Sequence, residues 1–192
     1  MDNQEVKQVN RLREFTKFIE SKKKILIGIF IVLILLISYF FIIESNKKNN
    51  DLLISENFNK AKILITNKQP EESKKILLKL IEENHKIYSP LSLYMIIEED
   101  LEKNNDKIII LFEEVLKNNK ILQEDKDLIK IKKAIFISGF ENESKILEIL
   151  NPIINSKSIW RYEAINLMIR FFDMKGEKNK SEEYKRLLKS NL

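Results

Sequence analysis

Residues 70–84 read PEESKKILLKLIEEN. Proline suits the first position of a helix, where its missing N–H has no intrahelical partner to lose and its fixed φ is already helical. An apolar pair, Ile76-Leu77, follows about a turn and a half inside. The arrangement returns three times: DKIIILFEEVLKNN from Asp106, NESKILEILNPIIN from Asn142 and NKSEEYKRLLKSNL from Asn179. The four starts are spaced by 36, 36 and 37 residues. Phe112 with Val115-Leu116, Ile146-Leu147 and Leu187-Leu188 occupy the corresponding apolar places. Asp or Asn at a start supplies the side-chain oxygen that an N-cap needs. A repeat of this period outweighs the β preference of the many isoleucines.

Each of these segments follows a partner with helical apolar spacing, over 51–67, 89–104, 125–138 and 158–175. Phe58, Ala61 and Ile65 mark the first partner, and Leu128, Ile131 and Ile135 the third. Ser89-Pro90 reads as an N-cap followed by proline at the first helical position. Gly139 and Gly176 fall just past helix ends, where a left-handed residue closes the last turn. Pro152 is expected to bend or end its helix. One hairpin cannot bury its apolar stripe alone, so neighbours must stack. The predicted fold is all-α: a TPR-like α-solenoid of about four helix hairpins. The last hairpin carries the fullest pattern, with Ala164, Leu167, Phe171, Gly176, Ser181 and Tyr184 in the small, large, glycine, small, aromatic order of a TPR unit.

Upstream, residues 25–43 read ILIGIFIVLILLISYFFII, a run of 19 without a charge in which 16 are Ile, Leu, Val or Phe. As a helix the run is about 29 Å long, close to the thickness of a bilayer's hydrocarbon core. Each such residue favours insertion by about 0.3–0.6 kcal/mol near the centre, so the sum is several kcal/mol. Core helices are seldom apolar all round over this length. Six basic residues lie in 10–24, against Lys47 and Lys48 alone in 44–58. The positive-inside rule then places the N-terminus in the cytoplasm and the C-terminal domain across the membrane. A signal peptide would have a shorter apolar region and small residues at its end; this run ends in Tyr39-Phe40-Phe41-Ile42-Ile43. The predicted organisation is a basic tail over 1–24, a transmembrane helix over 25–43 and a helical repeat domain over 44–192. Val6, Val9, Leu12, Phe15 and Phe18 suit a short amphipathic helix on the inner leaflet.

Composition excludes several functions. There is no Cys, so no disulfide framework, thiol nucleophile or zinc finger, and no lipidated start. A single His leaves no basis for a His-based metal cluster or a Ser-His-Asp triad. Three glycines cannot build a phosphate-binding loop. Ile, Lys and Asn make up 80 of 192 residues, all types encoded by AT-rich codons, which weakens any reading of a single Lys. The net charge of +5 is spread: +3 in residues 1–24 and +2 in the 149 residues of 44–192. Mixed Lys and Glu read as solvated helix faces, not as a nucleic-acid surface.

Individual candidates are few. His85 is expected in an exposed turn, and Trp160 at a helix start as a packing residue. Glu98-Glu99-Asp100 and Glu124, Asp125 and Asp127 lack the glycine-containing loop of a calcium site. No pocket that would shift a carboxylate into general acid/base use is indicated. No catalytic residue, metal, cofactor, small-molecule substrate or nucleic acid is expected. In a TPR array the first helices line the concave face. Registering the last repeat on Gly176 points Asn166 and Arg170 inward, and the preceding repeat offers Lys133. These three are the predicted partner-binding residues, placed to hydrogen-bond a peptide or partner segment.

The charged tail EVKQVNRLR at residues 5–13, the single anchor at 25–43, Trp160-Arg161-Tyr162-Glu163-Ala164 and Lys175-Gly176-Glu177 together resemble the YfgM-type bacterial family. These are ancillary subunits of the Sec translocon whose TPR domain is similar to that of the cell-division coordinator CpoB. The likeness spans nearly the whole chain, although family members often continue beyond the point matching Leu192. It implies a non-enzymatic single-pass protein of the bacterial inner membrane, with a periplasmic TPR domain that associates with the translocon and with periplasmic chaperones or emerging chains. A second reading, a structural or coordinating module of envelope assembly or division, calls for a coiled-coil tract before the repeats; residues 44–57 show none.

Overall fold

The computed structural model describes residues 28, 32–41, 44 and 48–189. Among them there are helices and no strand. The chain divides into two units, Met1–Leu53 and Ile54–Leu192. In the first, residues 32–41 are helical, and all ten side chains are exposed, nine of them large and apolar apart from Ser38. No helix among the described residues is long and apolar enough to cross a membrane. The expected span 25–43 lies partly outside those residues, and the basic tail 1–24 wholly so.

Among the described residues the second unit holds eight helices, the first of which already runs from residue 48: α1 (48–66), α2 (Pro70–Glu82), α3 (Tyr88–Glu98), α4 (Asn105–Lys117), α5 (Gln123–Ile137), α6 (Glu143–Ile154), α7 (Arg161–Met174) and α8 (Lys178–Lys189). From α2 onward each helix packs on the next, with further contacts between α2 and α4 and between α5 and α7. Connections of three to six residues force neighbours antiparallel. The core falls into two clusters. Ala61, Leu77, Leu80, Leu93, Ile96 and Phe112 centre the first, and Ile146, Leu150, Ala164, Met168, Phe171 and Phe172 the second. α5 joins them: Ile129 belongs to the first, Ile131 and Ala134 to the second, and Phe136 packs against both.

Polar groups tie successive hairpins at the repeat distance. The Tyr88 hydroxyl lies 2.8 Å from Ser55 Oγ, Asn118 Nδ2 donates to the Asn84 carbonyl at 2.9 Å, and the Ser158 hydroxyl donates to Glu124 at 3.1 Å. Lys180 Nζ pairs with Glu143 at 2.7 Å. Each bond spans 33 to 37 residues.

Helix starts follow the sequence in part. Asn142 caps α6, its Oδ1 accepting from Lys145 N at 3.1 Å. α4 starts earlier than Asp106: Asn104 is the cap, accepting from Lys107 N at 3.1 Å, and Asp106 lies in the first turn. Ser89 is not a cap. It is buried inside α3 and its hydroxyl donates to the Leu80 carbonyl at 2.8 Å. The start of α3 is held instead by His85 Nδ1, which accepts from the backbone N–H groups of Ile87 and Tyr88. Pro152 lies inside α6, on an exposed position, and the helix continues to Ile154.

Helix ends depart further from expectation. After α7, Gly176 takes φ +74°, with Glu177 N donating to Phe172 O and Gly176 N to Asp173 O, the paired bonds of a Schellman motif. The same pair closes α1 at Lys68 (φ +60°) and α3 at Asp100 (φ +55°). Gly139 is not left-handed; α5 ends with Phe140 N and Glu141 N both donating to Ile137 O. Asn84, just past α2, is also left-handed at φ +51°, so among the described residues glycine marks one of four left-handed ends, and Lys, Asn and Asp occupy the others.

Candidate functional site

The three residues expected to bind a partner do not share one pocket. Lys133 is 8% exposed and pairs with Glu113. It lines a cleft of about 360 Å³ between α4, α5 and α6, with Ile109 and Leu116 on α4, and Ile149 and Pro152 on α6. Neither Asn166 nor Arg170 lines that cleft. Arg170 is exposed on α7 and donates from Nη2 to Glu163 Oε1 at 2.8 Å, two turns back on the same helix. Asn166 is half-buried between them in sequence.

A second groove, of about 310 Å³, runs between α3 and α5. Tyr94, Ile97 and Glu98 of α3 face Lys132, Ile135 and Phe136 of α5, with Phe112 of α4 beneath. Both sets have i, i+3, i+4 spacing, so each is one stripe of a helix. Every member of one set is displaced by 38 residues from its counterpart, about one helical turn more than the 35 residues between the starts of α3 and α5. Its lining is mostly apolar, and Ile135 is half exposed. Lys132 Nζ lies 4.5 Å above the Tyr94 ring. Burial, followed by the charge of Asp125, pushes the Tyr94 hydroxyl up to about 12, so it remains a hydrogen-bond donor throughout the neutral range. An apolar trough lined by a tyrosine with a cation over its ring suits a side chain of an extended or helical peptide.

This groove was missed in the sequence because α5 and α7 are offset by 38 residues, from Gln123 to Arg161, and not by 37. Counted from those starts, Arg170 corresponds to Lys132. One residue along a helix rotates a side chain by about 100°, and Lys133 accordingly faces the other cleft. The signal was present: Tyr94-x-x-Ile97-Glu98 and Lys132-x-x-Ile135-Phe136 have the same spacing, each with two half-buried residues and one exposed one.

Other sequence candidates have local partners. His85 holds the start of α3 as described. Glu124 accepts from Ser158 and from the Ile159 N–H at 3.2 Å. Asp127 accepts from Gln123 Nε2 at 2.8 Å. Asp100 pairs with Lys103. Trp160 occupies the N-cap position of α7 and packs against the second core cluster. Among the described residues no group of three or more His, Asp or Glu side chains is placed to hold a metal ion. Comparison with protein-family models, with curated proteins and with solved structures gave no match.

Proposed function

We propose that the chain is a membrane-anchored, TPR-like scaffold that holds partner proteins by contacts along its repeat domain. The observation that carries this reading is the apolar helical stretch 32–41, whose side chains are exposed on every face. In water such a surface is costly, at roughly 25 cal/mol per Å² of apolar area. In hydrocarbon it is the favoured state. The stretch forms the centre of the uncharged run 25–43, and the basic residues before that run orient it with the N-terminus in the cytoplasm.

The repeat domain then lies on the far side, in the periplasm of a bacterial inner membrane. Its groove between α3 and α5 takes up a partner segment. Following the family likeness, the partners are the Sec translocon, through the anchor, and periplasmic chaperones or emerging secreted chains, through the groove. Tethering keeps the domain at high effective concentration near the exit site. No chemical step is part of this function.

Two measurements test the proposal. The full chain should remain in the membrane pellet after alkaline carbonate extraction; release into the supernatant refutes the anchor. A photo-crosslinking residue at Ile135 in the full chain should yield translocon, chaperone or nascent-chain adducts, and the Tyr94→Ser variant should lose most of them. Equal yields from a crosslinker at Glu99, outside the groove, would remove the groove from the mechanism.

A further inference from the structure

The connections that lead from the second helix of one hairpin to the first helix of the next share a feature that the stack itself does not use. Each carries an exposed aliphatic residue at or next to its last position, Ile87, Leu122 and Ile159, which are 51%, 72% and 71% exposed. Each has an exposed lysine one or two positions earlier, Lys86, Lys120 and Lys157. The aliphatic residues recur at 35 and 37 residues, the period of the fold. The interior places beside them are already filled, by buried Ile121 and partly buried Trp160.

These connections form one continuous edge. Asn118 Nδ2 bonds the Asn84 carbonyl, joining the first connection to the second, and Glu124 accepts from both Ser158 and Ile159, joining the second to the third. Tyr88 extends the series to Ser55 of α1. The edge is thus a fixed row of alternating cation and aliphatic. Along the connections 83–87, 118–122 and 155–160 there is one acid against three lysines. The connections at the opposite ends of the helices, 67–69, 99–104, 138–142 and 175–177, carry five acids against three lysines.

We propose that this edge is a lipid-contacting surface: Ile87, Leu122 and Ile159 enter the headgroup region of the membrane that holds the anchor, and Lys86, Lys120 and Lys157 meet anionic headgroups. The inference rests on the reading of residues 25–43 as an anchor. Exposed aliphatic residues backed by lysines are the composition that binds an anionic bilayer surface. Chain continuity supplies the proximity. Ser55 belongs to this edge, and only 13 residues, 42–54, separate it in sequence from the apolar stretch. A contact too weak to recruit a free domain suffices for a tethered one. The consequence is a preferred posture of the repeat stack on the bilayer, with the more acidic edge directed away from it.

The chain has no cysteine, so single cysteines can be labelled without background. The full chain carrying an environment-sensitive dye at Ile87→Cys, Leu122→Cys or Ile159→Cys is reconstituted in phosphatidylethanolamine–phosphatidylglycerol vesicles containing headgroup-nitroxide lipid. Fluorescence should be lost at all three positions and retained at Asn67→Cys and Glu99→Cys on the other edge. Omitting phosphatidylglycerol should weaken the quenching. With the dye at Asn119→Cys, the variant carrying I87S, L122S and I159S should lose it, while its circular dichroism melt stays that of the parent. Protein that floats with the vesicles but shows no quenching at the three sites, or equal quenching on both edges, overturns this proposal and leaves the anchor standing. A dye that becomes shielded without lipid quenching points to a protein on this edge and likewise overturns it. Protein that fails to float overturns the anchor and this proposal with it.

Discussion

Truncating Leu150 tests whether the repeat domain is held together by neighbour contacts. Leu150 is fully buried in α6, in the cluster that also contains Ile146, Ala164, Phe171 and Phe172. α6 packs against α5 on one side and α7 on the other. Leu150→Ala removes three carbons, worth about 0.8 kcal/mol each and so about 2.4 kcal/mol in transfer energy. The cavity left behind raises the expected cost to about 3–4 kcal/mol. For a domain of this size each kcal/mol lowers Tm by about 3 °C, so the melt should fall by about 10 °C. The assay is circular dichroism of the full chain in mild detergent, paired with hydrogen exchange read peptide by peptide. In a stack where each hairpin touches its neighbours, protection should fall most in α5 to α8. Amides of α2, whose Leu77, Leu80 and Ile81 belong to the other cluster, should keep theirs. A uniform loss across all helices would refute the description as two clusters joined through α5. A Tm change under about 3 °C would refute the packing assigned to Leu150.

Other consequences are more local. Ser73 Oγ donates to the Ala61 carbonyl at 2.9 Å, whereas Ser181 Oγ is buried without a partner among the described residues. Ser73→Ala should therefore destabilise by about 1 kcal/mol and Ser181→Ala should stabilise by a similar amount, both measured by urea denaturation. Lys68→Gly and Asp100→Gly should each stabilise by about 0.5–1 kcal/mol by relieving a left-handed backbone, and Gly176→Ala should destabilise by about 1 kcal/mol; opposite signs in thermal melts would contradict the assigned helix ends. In an ultraviolet titration Tyr94 should ionise near pH 12, above the ordinary tyrosine value of 10, and Tyr94→Phe should remove that late step. Its folded-state value is raised, so its contribution to stability is complete below pH 10 and declines as pH rises toward 12. The Asn104 backbone N–H, and then Lys74, hold Glu102 below the ordinary glutamate range near 4.5. Its contribution is present above that value and is lost as pH falls through the lowered one, so Glu102→Gln should flatten the acid side of the stability profile.

The fold was legible because it repeats. Any single segment, such as NESKILEILNPIIN, is compatible with many helical proteins, but four starts at nearly one spacing leave a stack of hairpins as the arrangement that buries every stripe. The details that were misread are those in which two local chemistries compete. In Lys103-Asn104-Asn105-Asp106 three residues can cap, and Asn104 takes the role because its oxygen reaches the N–H of Lys107. At Ser89-Pro90 the sequence resembles a helix start, yet the serine hydroxyl satisfies a carbonyl of the preceding hairpin and an imidazole serves the orphan N–H groups. Left-handed ends at Lys68 and Asp100 carry no glycine. Their strain, of order 1 kcal/mol, is small against the hydrophobic burial of the helices they join.

The groove was less legible than the fold for a geometric reason. A helical repeat tolerates variation of one or two residues in its connections without losing its stacking, because the helices slide into register by packing. A surface assignment tolerates none, since each residue turns the side chain by about 100°. The 35-residue step from α3 to α5 and the 38-residue step from α5 to α7, counted between helix starts, leave the mean period near 36. Yet that variation is enough to exchange Lys132 for Lys133, and so a cation over a tyrosine ring for a cation paired with Glu113 in another cleft. Period fixes which helices meet, whereas the surface they offer has to be read from matched stripes such as Tyr94-Ile97 and Lys132-Ile135. The edge carrying Ile87, Leu122 and Ile159 follows the same logic from the other direction. Its members lie at the helix starts themselves, where the register error is smallest, and a repeated exposed aliphatic residue at such a place is one that internal packing gives no reason to keep.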